Sequence, residues 1–396
     1  MLTAELSNPV VQPGVHQYGI AERIDDAIHR ALAEQRLVGA VVLVSVDGKL
    51  IYQGAKGWAD REAERPMTAD ALFRLSSLTK VYVSTAALAM VEAGIIGLDD
   101  AVTRWLPHFA PALPDGRIPE ITVRHLLTHT AGLGYGFLEG EQGGPYKQMG
   151  ISDGMDHSVL SLRENIERLG QAPLLAEPGS AWIYSLATDV LGEVLERATG
   201  SHLHEVVRKW VTEPLGLQDT RFAASDYRRL TTVYVNEQPA PRRMRDLELV
   251  PILEGFRGVS LAPGRALDHN AFPSGGAGMV GTAGDFMTLL ESLRSGGGPL
   301  LSAAMAAEMG RNQTGDLPLA PWPGRGYGLG FTVLTDPQAA NTPESPGSWR
   351  LAGVFGHSWF VDPAKRISVV ALTNTLLEGM LGQFTVDICN AVYGQV

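Results

Sequence analysis

Ser77 and Lys80, in the run Leu75-Ser76-Ser77-Leu78-Thr79-Lys80, lie three residues apart. That spacing puts two side chains on one face of a helix. A hydroxyl beside an amine has an evident chemistry: the amine takes the proton and the oxygen attacks an electrophile. Lys80 is the only charged residue between Arg74 and Glu92. An ammonium held among Leu78, Val81, Val83 and Leu88 gives up its proton more readily than one in water. A helix beginning near Ser76, running through Val91 and ending at Gly94 puts Ser77 in the first turn. There, unpaired N–H groups and the positive end of the dipole stabilise developing negative charge. Ser76, four residues before Lys80, satisfies the spacing equally. The residues alone also allow a capping serine followed by a snorkelling lysine.

A second serine competes on pattern. Gly150-Ile151-Ser152-Asp153-Gly154 has the form G-x-S-x-G of a nucleophile elbow, which needs a buried strand before the serine and a helix after it. The preceding "GEQGGPYKQMG" is turn chemistry, and the following "DGMDHS" has no helical period. Asp153 and His157 are near only in sequence, whereas triad partners come from separate elements. Ser152 therefore reads as a surface-loop residue.

The elements that position these residues are legible in outline. Ile20, Ile24, Ile28 and Leu32 recur every four positions, as on one helix face. "AVVLVSVDGKLIYQGAKG" reads as a hairpin turning at Asp47-Gly48. Near the other end, "YGLGFTVL" and "VFGHSWFVDPAKRISVVALTN" read as strands, the latter turning at Asp362-Pro363, and residues 378–393 read as a final helix. Tight turns imply an antiparallel sheet, since parallel strands need crossover helices. The middle holds helical patterns such as "SLATDVLGEVLERATG", closed by Gly200, and long Pro- and Gly-rich loops, as at 239–275. One sheet built from both chain ends, with helical segments inserted between, is the architecture expected.

Composition narrows the partners. With 32 Lys and Arg against 43 Asp and Glu, the net charge of −11 disfavours nucleic-acid backbones. No charge-free apolar stretch of about 18 residues occurs, so no membrane span is expected, and residues 1–20 lack a leader pattern. The single cysteine, Cys389, cannot form an internal disulfide and reads as a small core residue. These features suggest a cytoplasmic protein. No zinc-type grouping, P-loop or dinucleotide fingerprint occurs, so neither metal nor cofactor is expected.

Ser77-Leu78-Thr79-Lys80 resembles the S-x-x-K motif of serine β-lactamases and penicillin-binding proteins. The resemblance continues in order through "TVRHLLTHTAGL", "PGSAWIYSLATDVLGEVLERATG", "PSGGAGMVGTAGDF", "GYGLGF" and "VFGHSWFVD". It is similar to the class C β-lactamase-like group and, within it, to the bacterial family VIII carboxylesterases, whose G-x-S-x-G is incidental. The fold implied is an α/β domain with a central antiparallel sheet flanked by helices (1–100 and 275–396), plus an inserted mainly helical domain (101–274). The active site lies between them.

Within the resemblance, Tyr184 matches the tyrosine of Y-x-N. It precedes a helix beginning near Ser185, whose dipole favours a phenolate, so it can shuttle the proton from Ser77 to the leaving group. Leu186 stands where β-lactamases carry the Asn. Leu351-Ala352-Gly353 takes the place of K-T-G, or W-G-G in the esterases, and lacks the lysine that attracts a carboxylate. The N–H groups of Ser77 and Val354 would form the oxyanion hole. His129 reads as structural; His357 as either support for the site or a satisfied core histidine. Tyr135, Phe137, Trp349, Leu351, Phe355, His357 and Trp359 are candidates for the substrate pocket. The function expected is a serine carboxylesterase acting on a small, short-acyl ester. A β-lactamase, a D-amino-acid peptidase and an acyltransferase are alternatives on the same scaffold. A non-enzymatic sensor would have a broken catalytic set.

Overall fold

The computed structural model describes residues 19–320 and 322–395; the stretch read above for a leader lies, through residue 18, outside them. The four-residue apolar spacing forms helix α1, Ile20–Ala33, with Ile24 and Ile28 fully buried. Strands β1 (Gly39–Val46) and β2 (Lys49–Asp60) follow. Asp47 and Gly48 between them both have positive φ, as the hairpin turn matching strand twist requires.

A two-residue β3 (Arg65–Pro66) ends this side of the sheet. The chain returns much later as β4 (Arg325–Tyr327), β5 (Thr332–Leu334), β6 (Trp349–Gly353), β7 (His357–Asp362) and β8 (Ile367–Thr373). The sheet order is β4-β5-β6-β7-β8-β1-β2-β3, all antiparallel. The two halves meet where β1 pairs with β8, from Ala40 opposite Thr373 to Val46 opposite Ile367. Both ends of the chain thus build one sheet, as the turn pattern implied.

Helices cover both faces. On one, α1 and the C-terminal helix α5 (Gln383–Tyr393) pack over Val42, Val44, Phe360 and Val369. On the other lie α2 (Thr79–Glu92) and α4 (Ala283–Arg294). Every residue of α2 from Thr79 to Met90 is buried, the condition of a helix apolar on all sides. Helix α3 (Ala187–Thr199), ended by Gly200 at φ 69°, packs against α2 from the intervening segment.

Four details differ from the sequence reading. The run 327–334 is not one strand: Gly328 and Gly330 allow a turn, Gly330 at φ 122°, so β4 and β5 form a hairpin. The final helix is interrupted at Gly382, whose extended backbone separates Glu378–Leu381 from α5. Within 239–275, Glu248–Val250 pairs with Val259–Leu261, and Arg242–Arg243 pairs with Tyr234–Val235. Finally, the helix expected from Ser76 opens with a tight 3-10 turn, Ser76–Leu78, before α2.

Candidate active site

The 3-10 turn decides which serine faces Lys80. Ser76 has φ 44°, a conformation costing a non-glycine residue on the order of 1–3 kcal/mol. Its hydroxyl is buried without a hydrogen-bond partner. The following Ser77 is half-buried and lines a cavity of about 700 Å3. Lys80, one helical turn on, donates from Nζ to Ser77 Oγ at 3.3 Å and to the carbonyl of Gly276 at 2.8 Å. Tyr184 donates from Oη to the same Ser77 oxygen at 2.6 Å. The Lys80 ammonium lies 4.6 Å from the centre of the Tyr184 ring and 5.4 Å from that of Tyr135. Lys80 is 1% exposed, so its Nζ is held among these groups. The structure therefore brings all three residues together around one oxygen.

Tyr184 is held by its neighbours. The carbonyl of His129 accepts from Ile183 N–H at 2.9 Å, and His129 Nδ1 accepts from Ser185 N–H at 3.2 Å. The imidazole lies 4.8 Å from the tyrosine ring, centre to centre. Burial first, and then the Lys80 charge, hold the His129 pKa well below the usual histidine range, so the ring is a neutral brace. This agrees with its expected structural role. Leu186, at the start of α3, is fully buried.

The end of β6 is pressed against the Ser76 turn. A Cβ at Gly353 would stand 2.5 Å from Ser76 Oγ and 2.9 Å from the carbonyl oxygen of Leu75, so only glycine permits this approach. The next residue, Val354, lines the cavity together with Ser77 and Leu351. His357 lies behind the turn: its Nε2–H donates to the carbonyl of Arg74 at 2.8 Å. Burial lowers its pKa to about 4, so it supports the segment entering the Ser77 turn as a neutral ring.

The pocket expectation needs correction. Tyr135, Phe137 and Leu351 line the cavity, but Trp349, Phe355, His357 and Trp359 do not. These four are buried in packing: β-strand side chains alternate, and Trp349 and Trp359 point with Leu351 into the core. The cavity wall instead includes Trp182, Trp322, Met155, Ile252 and Leu253. Trp182 and Trp322 meet edge-on at 5.3 Å, each within about 6 Å of Tyr184. These residues sit in loops, where no periodicity marks them. Another missed residue, Asp189, is fully buried and accepts from Ser274 Oγ at 2.6 Å. Burial raises its pKa, opposed by Ser274 and by the charge of Lys80. Its signal was a carboxylate in the first turn of α3 flanked by the apolar Leu186, Ala187, Val190 and Leu191.

Ser152 is absent from the cavity lining. It is also not a surface residue, being 3% exposed. The buried Asn165 side chain accepts from Ser152 N–H at 2.8 Å and donates to its carbonyl at 2.9 Å. Ser152 Oγ donates to Asp156. A loop without regular structure can be buried here because a side chain satisfies its backbone.

Cys389 is buried, as expected, and also contributes to the cavity wall. Among the described residues no group of His, Cys, Asp and Glu has the arrangement of a metal site, and no helix is long and apolar enough to cross a membrane.

Comparison with known proteins gives a consistent result. The family model described as Beta-lactamase matches residues 24–384. Esterase EstB of Burkholderia gladioli is 48% identical over 377 residues, 95% of this chain and 96% of that protein. The solved structure of EstCE1, "a hydrolase with promiscuous acyltransferase activity", is 48% identical, with a TM-score of 0.93 over 96% of this chain and all of that one. Monacolin J acid methylbutanoyltransferase of Aspergillus terreus is 27% identical over 393 residues, 88% of this chain and 89% of that protein.

Proposed function

Because this chain belongs to the Beta-lactamase family, among relatives that are esterases, we propose that it is a serine carboxylesterase with Ser77 as nucleophile. One observation carries the reading: Ser77 Oγ is within 2.6 Å of Tyr184 Oη and 3.3 Å of Lys80 Nζ, at the wall of a largely aromatic and aliphatic cavity. Ser77 Oγ attacks the ester carbonyl while its proton passes to the Tyr184–Lys80 pair. The tetrahedral oxyanion is stabilised by the N–H groups of Ser77 and Val354. Collapse expels the alcohol, which takes the proton back from the pair. Water then attacks the acyl-enzyme, gives its proton to the same pair, and the acid leaves with Ser77 restored.

In this proposal the site lies between an α/β unit (1–100 and 275–396), which supplies Ser77, Lys80 and Val354, and a helical unit (101–274), which supplies Tyr184, Tyr135 and Trp182. The substrate is a small-molecule ester with a short acyl group, and the reaction uses no cofactor. We also assign the protein to the cytoplasm, supported by its single, unpaired cysteine. Acyl transfer is the second reading, favoured by the activity named for EstCE1 and by the A. terreus methylbutanoyltransferase. It differs only in an alcohol replacing water on the acyl-enzyme, and an apolar wall that limits water favours it. A β-lactamase or peptidase reading loses support from Leu351 and the buried Leu186, which offer no charge or amide to such a substrate. A fluorophosphonate tests the nucleophile. One covalent adduct is expected on the peptide containing Ser77, with none in Ser77→Ala; an adduct elsewhere would overturn the assignment.

A further inference from the structure

Strand β6 pairs with β5 only through Trp349 and Arg350. Leu351, Ala352 and Gly353 are paired on one side only, to β7. The cavity uses this free edge. It is lined on one side by Ser77, Tyr184 and Leu351, and also by Arg350, Ala352 and residues of α5. Alternation along the strand separates the two groups. Leu351 stands opposite Trp359, in the core beneath α2. Arg350 stands opposite Phe360, its guanidinium 5.3 Å from that ring's centre, in the layer beneath α5. The cavity therefore passes around the edge of β6 into a second lobe.

That lobe carries surplus positive charge. Arg325 and Arg350 both pair with one carboxylate, that of the fully buried Glu344. The Arg325 side chain is 8% exposed, and its Nη1 is buried with no hydrogen-bond partner, as is Nε of Arg350. Two guanidiniums share a single counter-ion. The other nearby acidic groups do not neutralise them. Asp362 is engaged by Ser345, Lys365 and Tyr393. Burial pushes the Cys389 thiol up to about 11, so it contributes no thiolate at neutral pH. The charge missing from β6 at Leu351 is present one residue earlier, on the opposite face of the strand. An anion held there would be remote from Ser77.

We propose that this lobe binds a carboxylate on the alcohol portion of the substrate, making short-acyl esters of hydroxy carboxylic acids the preferred class. The proposal rests on the esterase reading above. A short acyl group leaves most of the cavity to the alcohol, and a guanidinium fork matches a carboxylate in two parallel hydrogen bonds. The test compares acetyl esters of ω-hydroxy acids of increasing length with the same esters carrying a primary amide in place of the carboxylate. The expected result is a preference for the acid, in kcat/KM, of about ten- to hundredfold at the chain length that spans the lobe. Arg350→Gln and Arg325→Gln should collapse that ratio, while Arg350→Lys retains part of it. A wild-type ratio near one at every length overturns the proposal, as does an equal loss on acid and amide in the variants. Calorimetric binding of the free hydroxy acids to the wild-type protein separates the two readings. Binding no tighter than the hydroxy amides overturns the lobe, whereas acid-selective binding without hydrolysis of any ester overturns the esterase reading alone.

Discussion

Ser76 and Ser77 meet different surroundings because the backbone turns sharply at Ser76, where φ is 44°. The positive φ of Ser76 turns its hydroxyl into the packing against Gly353, leaving Ser77 to meet both Lys80 and Tyr184. Lys80→Ala and Tyr184→Phe should each lower kcat on a chromogenic acetate ester by at least ~100-fold, the scale of losing an acid–base partner. A folded variant with a near-normal rate would remove that residue from the proposed proton path. Ser152→Ala should behave differently. It leaves Gly154 N–H without the hydroxyl that accepts from it at 3.1 Å, which costs stability of about 1–3 kcal/mol. The remaining folded enzyme should keep its turnover; inactivity despite native circular dichroism would return Ser152 to consideration.

At the scale of elements, two contacts hold the site open in the right shape. The first is β6 against the Ser76 turn. Gly353→Ala puts a methyl group against the Leu75 carbonyl, which cannot rotate away. The strand end must retreat, carrying Val354 with it, and kcat/KM should fall on the order of 10- to 100-fold. An unaffected rate in the folded variant would dissociate that strand end from catalysis. The second contact is the loop bearing Tyr135 and Phe137, where Asp153 accepts from Gly136 N–H at 2.8 Å. Burial raises the Asp153 pKa to about 7, against ~3.9 for an unperturbed aspartate. The folded protein therefore holds a proton that the unfolded chain releases. This group's contribution to stability declines as pH rises from about 4 to about 7, by roughly 1.4 kcal/mol for each pH unit in that window. Asp153→Asn keeps an acceptor for Gly136 and removes the titration. Its melting temperature relative to wild type should climb between pH ~4 and pH ~8; a difference constant across that range would show that Asp153 does not titrate as described.

For the whole molecule, the proposed activity makes the cavity wall the selector of acyl donors. Its wall is aromatic and aliphatic around Ser77, and its positive charge lies beyond the edge of β6. Leu351 on that wall offers no cation, and Leu186, buried at the start of α3, offers no amide, so a β-lactam that depends on both contacts would lack them. Hydrogen bonds to charged groups are worth ~1.5–3 kcal/mol each, or roughly ten- to hundredfold in transition-state binding per contact. Short-chain chromogenic esters should therefore be hydrolysed with much higher kcat/KM than a chromogenic cephalosporin. A cephalosporin turned over more efficiently than every ester tested would reverse the order of the readings.

The sequence by itself determined the local chemistry and the larger periodic elements. Ser77 and Lys80 are one helical turn apart in any helix, α1 has a four-residue apolar repeat, and Asp47-Gly48 is hairpin chemistry. The missing strand before Ser152 was likewise legible, because turn residues act over a few positions. Tyr184 came from the ordered motifs, since nothing in its local spacing links it to Ser77, 107 residues away. Tertiary structure alone decided the rest. Trp182 and Trp322 reach the cavity from irregular loops, and burial of Ser152 depends on Asn165 from another segment. Trp349, Phe355 and Trp359 had the composition of a pocket but are used for packing, since alternation along a strand assigns faces without saying which face a cavity meets. The pairing of Arg325 and Arg350 over Glu344 depends on loop and strand positions that no periodicity couples. Contacts between neighbours in sequence follow from local geometry; contacts across the fold follow from which surfaces exclude water together.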